Sequence, residues 1–138
     1  MKTAEQAYEE ASKGINIKEN ENIVLESKDL EYCYLFALNI KGANIKAHEE
    51  VILESKYTVY CYDFAKEVFG ANIKAHEKVI LKSKNISFCY VFAKYIKQSN
   101  KEELFKVILE SEDKYYIDLF LKDIHFDKEK FKNYLLFI

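Results

Sequence analysis

The sequence contains no proline and no tryptophan, and it has only three glycines and three cysteines among its 138 residues. Because proline and glycine interrupt helices, their scarcity favours a chain that is helical over most of its length. Three cysteines do not form a disulfide framework, which indicates a reducing compartment and predicts a cytoplasmic location. No apolar run approaches the ~20 residues that cross a bilayer. Residues 1–13 are polar and acidic, without the apolar core of a signal peptide, so neither secretion nor a membrane partner is expected.

Arginine is also absent, so all 21 basic residues are lysines, against 23 aspartates and glutamates. The formal net charge of −2 excludes strong, sequence-independent attraction to nucleic acid or acidic lipid. Hydrophobic residues make up 49% of the chain and charged residues 32%, a balance that predicts a folded domain rather than a disordered segment.

An internal repeat with a period of 28 residues runs through most of the sequence. One copy reads NIKAHEEVILESKYTVYCYDFAKEVFGA, and the next reads NIKAHEKVILKSKNISFCYVFAKYIKQS. Two further copies flank this pair, and the last decays after Ile124. The chain is therefore predicted to be one helical-repeat domain with a capping helix at each end. The predicted parts of the domain 1–138 are the N-terminal cap helix 1–15, the repeats 16–43, 44–71, 72–99 and 100–126, and the C-terminal cap helix 127–138.

Each repeat is predicted to contain two short helices. Asn44 is expected to be the N-cap of the first helix, helix A, and Gly42 the left-handed stop of the helix before it. Hydrophobic periodicity places helix A at about 45–55 and helix B at about 59–69. Helices of about three turns are not stable alone, so each has to pack against its neighbours. The predicted fold class is all-α, an α-solenoid of tandem two-helix repeats.

The two ends of the chain have the pattern of capping helices. Residues 3–13 form a helix-prone stretch ahead of Gly14, which we interpret as a lone helix B. Asp127 is the predicted N-cap of a helix over 128–137. The residues predicted to cover the last repeat are Phe131, Tyr134, Leu135 and Ile138.

The repeat resembles known short-helix solenoid proteins. Its two-helix unit is similar in architecture to HEAT and ankyrin repeats, although a unit of 28 residues matches neither repeat length. The tandem NIKA…VILES…YCYxFA units are similar to repeats in proteins of AT-rich bacteria and their phages. This resemblance implies a small phage or mobile-element inhibitor that binds and blocks a bacterial defence enzyme, such as a CRISPR nuclease or its complex.

The cysteines occupy one position of the repeat and are interpreted as core residues. Cys33, Cys61 and Cys89 lie one repeat apart, and Ile117 fills the fourth equivalent position. Neighbouring helices lie about 8–10 Å apart, whereas zinc requires sulfur ligands at about 2.3 Å. Adjacent cysteines of such a column cannot share a metal ion, so no metal site and no cofactor are predicted.

The histidines receive the same interpretation. His48 and His76 share a second column, in which Leu104 is the fourth member, and His125 lies alone in the last corner. The favoured interpretation is a half-buried structural histidine on the helix face, and a functional role is the alternative.

No sequence motif indicates catalysis. The chain has no GxSxG, no phosphate-binding loop, no HExxH and no dinucleotide-binding GxGxxG. Its many carboxylates are expected mostly on the solvent face among lysines. The protein is therefore predicted not to be an enzyme.

Differences between the repeats indicate two candidate partner-binding surfaces. On helix A, acidic residues of the second repeat give way to lysines in the third, which predicts a dipolar face suited to a protein partner. On helix B, a tyrosine column lies at the margin of the buried stripe, where it can anchor a partner or pack between layers. Further apolar residues at nominally exposed positions of helix B extend this second surface. The helix A candidates are Glu50, Glu54, Lys74, Lys78, Lys82 and Lys106. The helix B candidates are Tyr34, Tyr62, Tyr90, Leu35, Asp63, Val91 and Tyr95.

The leading functional prediction is a non-catalytic protein-binding module, because solenoids present long faces of variable side chains. One alternative is a nucleic-acid-binding repeat that uses the lysine patch on phosphates and tyrosines on bases, although net charge and the lack of arginine disfavour it. The other alternative is a self-associating scaffold, for which a homodimer is expected.

Overall fold

The computed structural model describes residues 1–135 and consists of short helices. None of these residues lies in a β-strand. Within the same range, no helix has both the length and the apolar character that crossing a bilayer requires. The helices are α1 (Ala4–Ser12), α2 (Ile17–Ser27), α3 (Leu30–Asn39), α4 (Ile45–Ser55), α5 (Thr58–Glu67), α6 (Ile73–Ser83), α7 (Ile86–Tyr95), α8 (Lys101–Glu110), α9 (Lys114–Asp123) and α10 (Lys132–Leu135), with a 3₁₀ turn at Glu129–Phe131.

The chain forms two compact units, Met1–His76 and Glu77–Ile138, and the boundary falls within α6. In the first unit α3 packs between α1 and α5, and α2 contacts α4 in a second layer. In the second unit α7 and α9 contact each other, and both pack on α8. Helices therefore pack on their sequential neighbours, which confirms the predicted all-α fold class and is consistent with an α-solenoid.

The helix boundaries agree closely with the sequence pattern. The predicted helix A at 45–55 is α4, with the same first and last residues. The predicted helix B at 59–69 is α5, which begins at Thr58 and ends at Glu67. It ends early because Val68 adopts an extended conformation, with φ −86° and ψ 121°.

The corner from helix A to helix B uses a serine that hydrogen-bonds in both directions. Ser55 Oγ donates to the carbonyl of Ile52 and accepts from the N–H of Tyr57. Between them, Lys56 has a left-handed backbone with φ 58°. This arrangement explains the serine of the VILES motif, since its hydroxyl binds the otherwise unpaired groups of two helix ends. The equivalent pairs at the other corners are Ser27 and Lys28, Ser83 and Lys84, and Ser111 and Glu112.

The corner from helix B to the next helix A has the predicted capping chemistry. Gly42 has φ 85°, a conformation that favours glycine, and the Ala43 N–H donates to the carbonyl of Ile40. Asn44 Oδ1 then accepts a 3.1 Å hydrogen bond from the Ala47 N–H, which confirms Asn44 as an N-cap. Asn72 and Asn100 make the equivalent side-chain caps.

The core repeats along the chain. Cys61 is fully buried, and its Sγ lies 3.7 Å from the carbonyl oxygen of Ile52. Burial raises the pKa of the Cys33 and Cys61 thiols to about 12 and that of Cys89 to about 11. All three cysteines are fully buried, which confirms them as core residues. The other fully buried columns are Phe36, Phe64, Phe92 and Phe120, and Val24, Ile52, Ile80 and Ile108.

The C-terminal cap differs from the predicted continuous helix over 128–137. Asp127 Oδ1 accepts from the Glu129 N–H, but the next elements are a 3₁₀ turn and then the short α10. The tighter turn places the buried ring of Phe131 5.0 Å from that of Phe105, so packing overrides the longer helix. Tyr134 is exposed and Leu135 half-buried, whereas Ile138 lies outside the described residues.

The N-terminal cap is the predicted lone helix, observed as α1. Thr3 Oγ1 accepts from the Gln6 N–H, and the Gln6 side chain accepts from the Thr3 N–H, which forms a capping box. Its buried face consists of Ala4, Ala7 and Ala11.

Candidate functional site

The first unit contains the buried carboxylate of Glu49. Its Oε2 accepts a 2.7 Å hydrogen bond from the backbone N–H of Asn72. The same oxygen lies 2.8 Å from Nε2 of His76, whose ring stacks on Phe64 with centroids 5.2 Å apart. One side chain of α4 therefore satisfies two donors at the start of α6, because the first N–H groups of a helix lack intrahelical partners.

The same arrangement occurs one repeat earlier. Glu21 Oε2 accepts from the Asn44 N–H at 2.7 Å and lies 2.9 Å from Nε2 of His48. In the second unit, Glu77 Oε2 accepts from the Asn100 N–H at 2.6 Å, while Leu104 occupies the position of the histidine. We call these three contacts the glutamate links.

Both histidines are fully buried, not half-buried as the sequence predicts. Their Nδ1 atoms have no hydrogen-bond partner within residues 1–135. Burial lowers the pKa of His48 and His76, and the hydrogen bonds to Glu21 and Glu49 oppose this effect. The neutral tautomer with a proton on Nε2 fits this geometry, since protonated Nδ1 would be a buried donor without an acceptor.

Sequence reasoning missed the buried glutamates. It assigned nearly all carboxylates to the solvent face, but Glu21, Glu49 and Glu77 are buried. One signal was present: this position is glutamate in three consecutive repeats and phenylalanine at Phe105, in the last one. An outward-facing position would be expected to vary among lysine, glutamate and asparagine, as neighbouring positions do.

The glutamate links are suited to structure rather than to chemistry on a substrate. His48 and His76 have no solvent-exposed surface, so neither ring reaches a ligand in solution. Among the described residues, no group of three or more histidine, cysteine, aspartate or glutamate side chains could hold a metal ion.

The predicted helix A surface is exposed in both units. Glu50, Glu54 and Lys74 are exposed in the first unit, and Lys78 and Lys82 in the second. The dipolar arrangement of these charges stays a prediction. Lys106 is also exposed, but it lines a hollow of about 470 Å³ that contains Glu102, Glu103, Glu110 and Glu112.

The predicted helix B surface is less uniform than the sequence indicates. Tyr34 and Tyr62 are half-buried, and Tyr95 is exposed by 53%. Tyr90 differs from the predicted marginal position: it is buried, and its hydroxyl donates to Asp123 Oδ2. Its ring packs edge-on to that of Tyr116 on α9, with centroids 6.1 Å apart, so Tyr90 is unavailable as a surface anchor. Leu35, Asp63 and Val91 are half-buried.

Sequence reasoning did not single out Tyr57, which the structure places at the corner between α4 and α5. Tyr57 is the N-cap residue of α5 and makes no side-chain capping bond, and the residue is 60% exposed. The adjacent Val59 is 43% exposed, and the Tyr57 ring packs edge-on to Tyr60 at 6.2 Å. At the three equivalent corners, the N-cap residues are Asp29, Asn85 and Asp113, and all three cap with their side chains.

No protein-family model, curated protein or solved structure matches the chain. Its functional interpretation therefore depends on its own residues and their geometry.

Proposed function

We propose that the protein is a non-catalytic protein-binding helical-repeat module. The observation that supports this most directly is Tyr57, an exposed aromatic ring at a position where the equivalent corners carry capping side chains. Replacing an N-cap aspartate or asparagine typically costs ~1 kcal/mol of stability. An exposed tyrosine is a frequent anchor of protein interfaces, because its ring buries apolar area while its hydroxyl stays hydrogen-bonded.

The neighbouring residues enlarge this surface. Val59 is exposed beside Tyr57, and the half-buried Tyr60 packs against the Tyr57 ring. Exposed apolar side chains at one face of a small protein favour a protein contact over a purely solvated surface.

A narrower version of the proposal concerns the partner. It takes up the resemblance that the sequence pattern alone suggests, to repeats of AT-rich bacteria and their phages, and proposes a cytoplasmic inhibitor of phage or mobile-element origin. Such an inhibitor would bind and block a bacterial defence enzyme, for example a CRISPR nuclease. Blocking a partner needs no active site, which agrees with glutamate–histidine pairs that are closed to solvent.

The test compares affinity capture from a bacterial lysate by the wild-type protein, Tyr57→Asp and Tyr115→Asp. Tyr115 is the matched control, because it is a 66% exposed tyrosine that also packs edge-on to a neighbouring tyrosine. We expect mass spectrometry to identify proteins held by the wild type and by Tyr115→Asp but not by Tyr57→Asp. Urea unfolding should show Tyr57→Asp to be more stable than the wild type by ~1 kcal/mol, so that lost binding is not lost folding. Capture of the same proteins by all three, or of none by any, would contradict the proposal.

Nucleic-acid binding is a second candidate, favoured by Lys78 and Lys82, which are exposed one helical turn apart on α6. The glutamates around Lys106 act against it, because they repel phosphate groups. A salt-dependent mobility shift of labelled single-stranded RNA, abolished in Lys78→Glu/Lys82→Glu, would support this candidate in place of the first.

A further inference from the structure

The column of helix A residues that contains the two buried histidines is not uniform along the chain. It consists of Asn20, His48, His76 and Leu104, and all four residues are fully buried. Only the two middle members carry a side chain that takes up a proton near neutral pH. The Asn20 amide instead donates a 3.0 Å hydrogen bond to the carbonyl of Ile15, and the leucine has no polar atom.

Each histidine ring has an acceptor for one proton and none for a second. Nε2 of His48 lies 2.9 Å from Glu21 Oε2, and Nε2 of His76 lies 2.8 Å from Glu49 Oε2. Within residues 1–135, neither Nδ1 has a hydrogen-bond partner. A proton added to Nδ1 would therefore be a buried donor without an acceptor. Taking up that proton favours states in which the ring reaches water.

The groups that face the two rings do not relieve this cost. Each ring is faced by one carboxylate and stacks on one phenylalanine, with ring centroids 5.1 and 5.2 Å apart. The pairs are Glu21 on α2 with Phe36 on α3 at His48, and Glu49 on α4 with Phe64 on α5 at His76. No other charged side chain of the described residues acts on either ring. Burial lowers the pKa of both histidines, so each ring stays neutral to a lower pH in the folded chain than in the unfolded chain.

Both of these histidines belong to the first compact unit, Met1–His76. In the second unit, the glutamate link joins Glu77 to the Asn100 N–H, and a leucine occupies the position of the histidine. The third histidine of the sequence, His125, is exposed. The second unit therefore has a glutamate link without a buried imidazole, and it serves as an internal comparison for the first.

We propose that mild acid opens the first unit while the second unit stays folded, so that the two histidine-containing glutamate links act as a pH-sensitive release of one part of the chain. In arrays of stacked helices, neighbouring parts open with different free energies, so one part opens without unfolding the rest. Tyr57 lies in the first unit, so the same protons would release a partner bound there. This last step rests on the proposed protein-binding function, whereas the opening itself does not.

The test measures amide hydrogen exchange of the full-length protein at about pH 7.5 and about pH 5.5, corrected for the intrinsic pH dependence of exchange. We expect the protection of α3, α4 and α5 to fall about tenfold or more, because each histidine binds its proton more readily once exposed. The protection of α8 and α9 should change much less. The double variant His48→Leu/His76→Leu, which copies the residue at Leu104, should remove this difference between the units.

A second variant, Leu104→His, transfers the arrangement to the second unit. The introduced imidazole occupies the position opposite Glu77, and the buried Phe92 is equivalent to the phenylalanines that stack on the natural histidines. We expect the protection of α8 and α9 then to fall in acid as well. Leu104→Asn is the matched control, because it introduces the polar but non-titrating side chain of Asn20 in the same column.

Several results would overturn the inference. If both units of the wild type lose protection equally in acid, or if His48→Leu/His76→Leu loses it as the wild type does, the histidines do not open the first unit. A folded Leu104→His whose second unit is no more sensitive to acid than that of Leu104→Asn would also contradict it. If Leu104→His does not fold, the double variant alone decides.

The step that concerns the partner is tested separately, by washing proteins captured from a lysate at about pH 5.5. We expect the wild type to release proteins that His48→Leu/His76→Leu retains. Release by both, or by neither, would disconnect the opening from binding. If Tyr57→Asp captures the same proteins as the wild type at about pH 7.5, the proposed function fails, while the exchange measurements still decide whether the first unit opens.

Discussion

At the scale of single residues, the glutamate links show that one buried carboxylate can serve as hydrogen-bond acceptor for both a backbone N–H and a side chain of a neighbouring helix. Glu49 satisfies the Asn72 N–H and the His76 ring together, whereas Glu77 binds the Asn100 N–H opposite a leucine. The histidine is thus an optional partner of the link, and the glutamate is the required one. In the last repeat Phe105 takes the position of the glutamate, and its ring packs on Phe120 and Phe131 instead of binding a helix cap.

We therefore expect that removing the glutamate of a link destabilises the protein more than removing the histidine does. Glu49→Leu leaves the Asn72 N–H and His76 Nε2 without an acceptor, and we expect it to lower the free energy of unfolding by about 3 kcal/mol. His76→Leu reproduces the arrangement of the fourth repeat and should cost about 1 kcal/mol or less. Urea unfolding followed by circular dichroism measures both values. Glu50→Leu is the control, because it removes an exposed glutamate from the same helix. If Glu49→Leu and His76→Leu lower the free energy of unfolding by the same amount, the links do not act as described.

At the scale of the helices, the corners combine a favourable serine with an unfavourable backbone. Lys28, Lys56, Lys84 and Glu112 all have positive φ, between 55° and 62°, where residues with a Cβ are strained. The serine hydroxyl offsets this strain at each corner, because it binds backbone groups on either side of the turn. Asp29, Asn85 and Asp113 add a side-chain cap, whereas Tyr57, which follows Lys56, does not.

Lys56→Gly is therefore expected to stabilise the first unit by about 1 kcal/mol, since glycine adopts the left-handed conformation without steric cost. The melting temperature should rise accordingly. Gly42→Ala is the reverse comparison, because Gly42 also has positive φ. No atom lies within 4 Å of a Cβ added at Gly42, so any decrease in the free energy of unfolding comes from backbone strain alone. A destabilised Lys56→Gly would show that the lysine side chain contributes more than its backbone costs.

At the scale of the whole molecule, buried titratable groups connect stability to pH. His48 and His76 have lowered pKa values in the folded chain, whereas an unfolded histidine titrates near about 6.5. Each histidine therefore binds its proton more readily in the unfolded state. Their contribution to stability is present above about pH 6.5 and is lost as pH falls through the folded pKa.

We expect the free energy of unfolding to decrease between about pH 7.5 and about pH 5.5, and the double variant His48→Leu/His76→Leu to show a smaller decrease over the same range. The residues that face these rings are Glu21, Glu49, Phe36 and Phe64, so the carboxylates remain in the variant and the imidazoles alone are removed. Urea titrations at the two pH values make the measurement. If the double variant has the same pH dependence as the wild type, titratable groups other than His48 and His76 cause that dependence.

Much of the fold was predictable from local pattern. The helix bounds at Ile45–Ser55, the cap at Asn44 and the burial of Cys61 all derive from residue preferences that act within a few positions. The C-terminal cap was less predictable, because its 3₁₀ turn is set by the packing of Phe131 on Phe105 of α8 rather than by local propensity. Tyr57, on which the proposed function depends, was not singled out from the sequence, because its exposure is a property of the folded corner between α4 and α5.

Local sequence pattern is sufficient to establish that this protein is a chain of short paired helices, because a 28-residue period combines helical hydrophobic spacing with repeated caps. Which polar residues are buried inside the protein depends instead on tertiary packing. Glu49 resembles a surface residue on its own helix, and it is buried because its two partners come from 23 and 27 residues further along the chain.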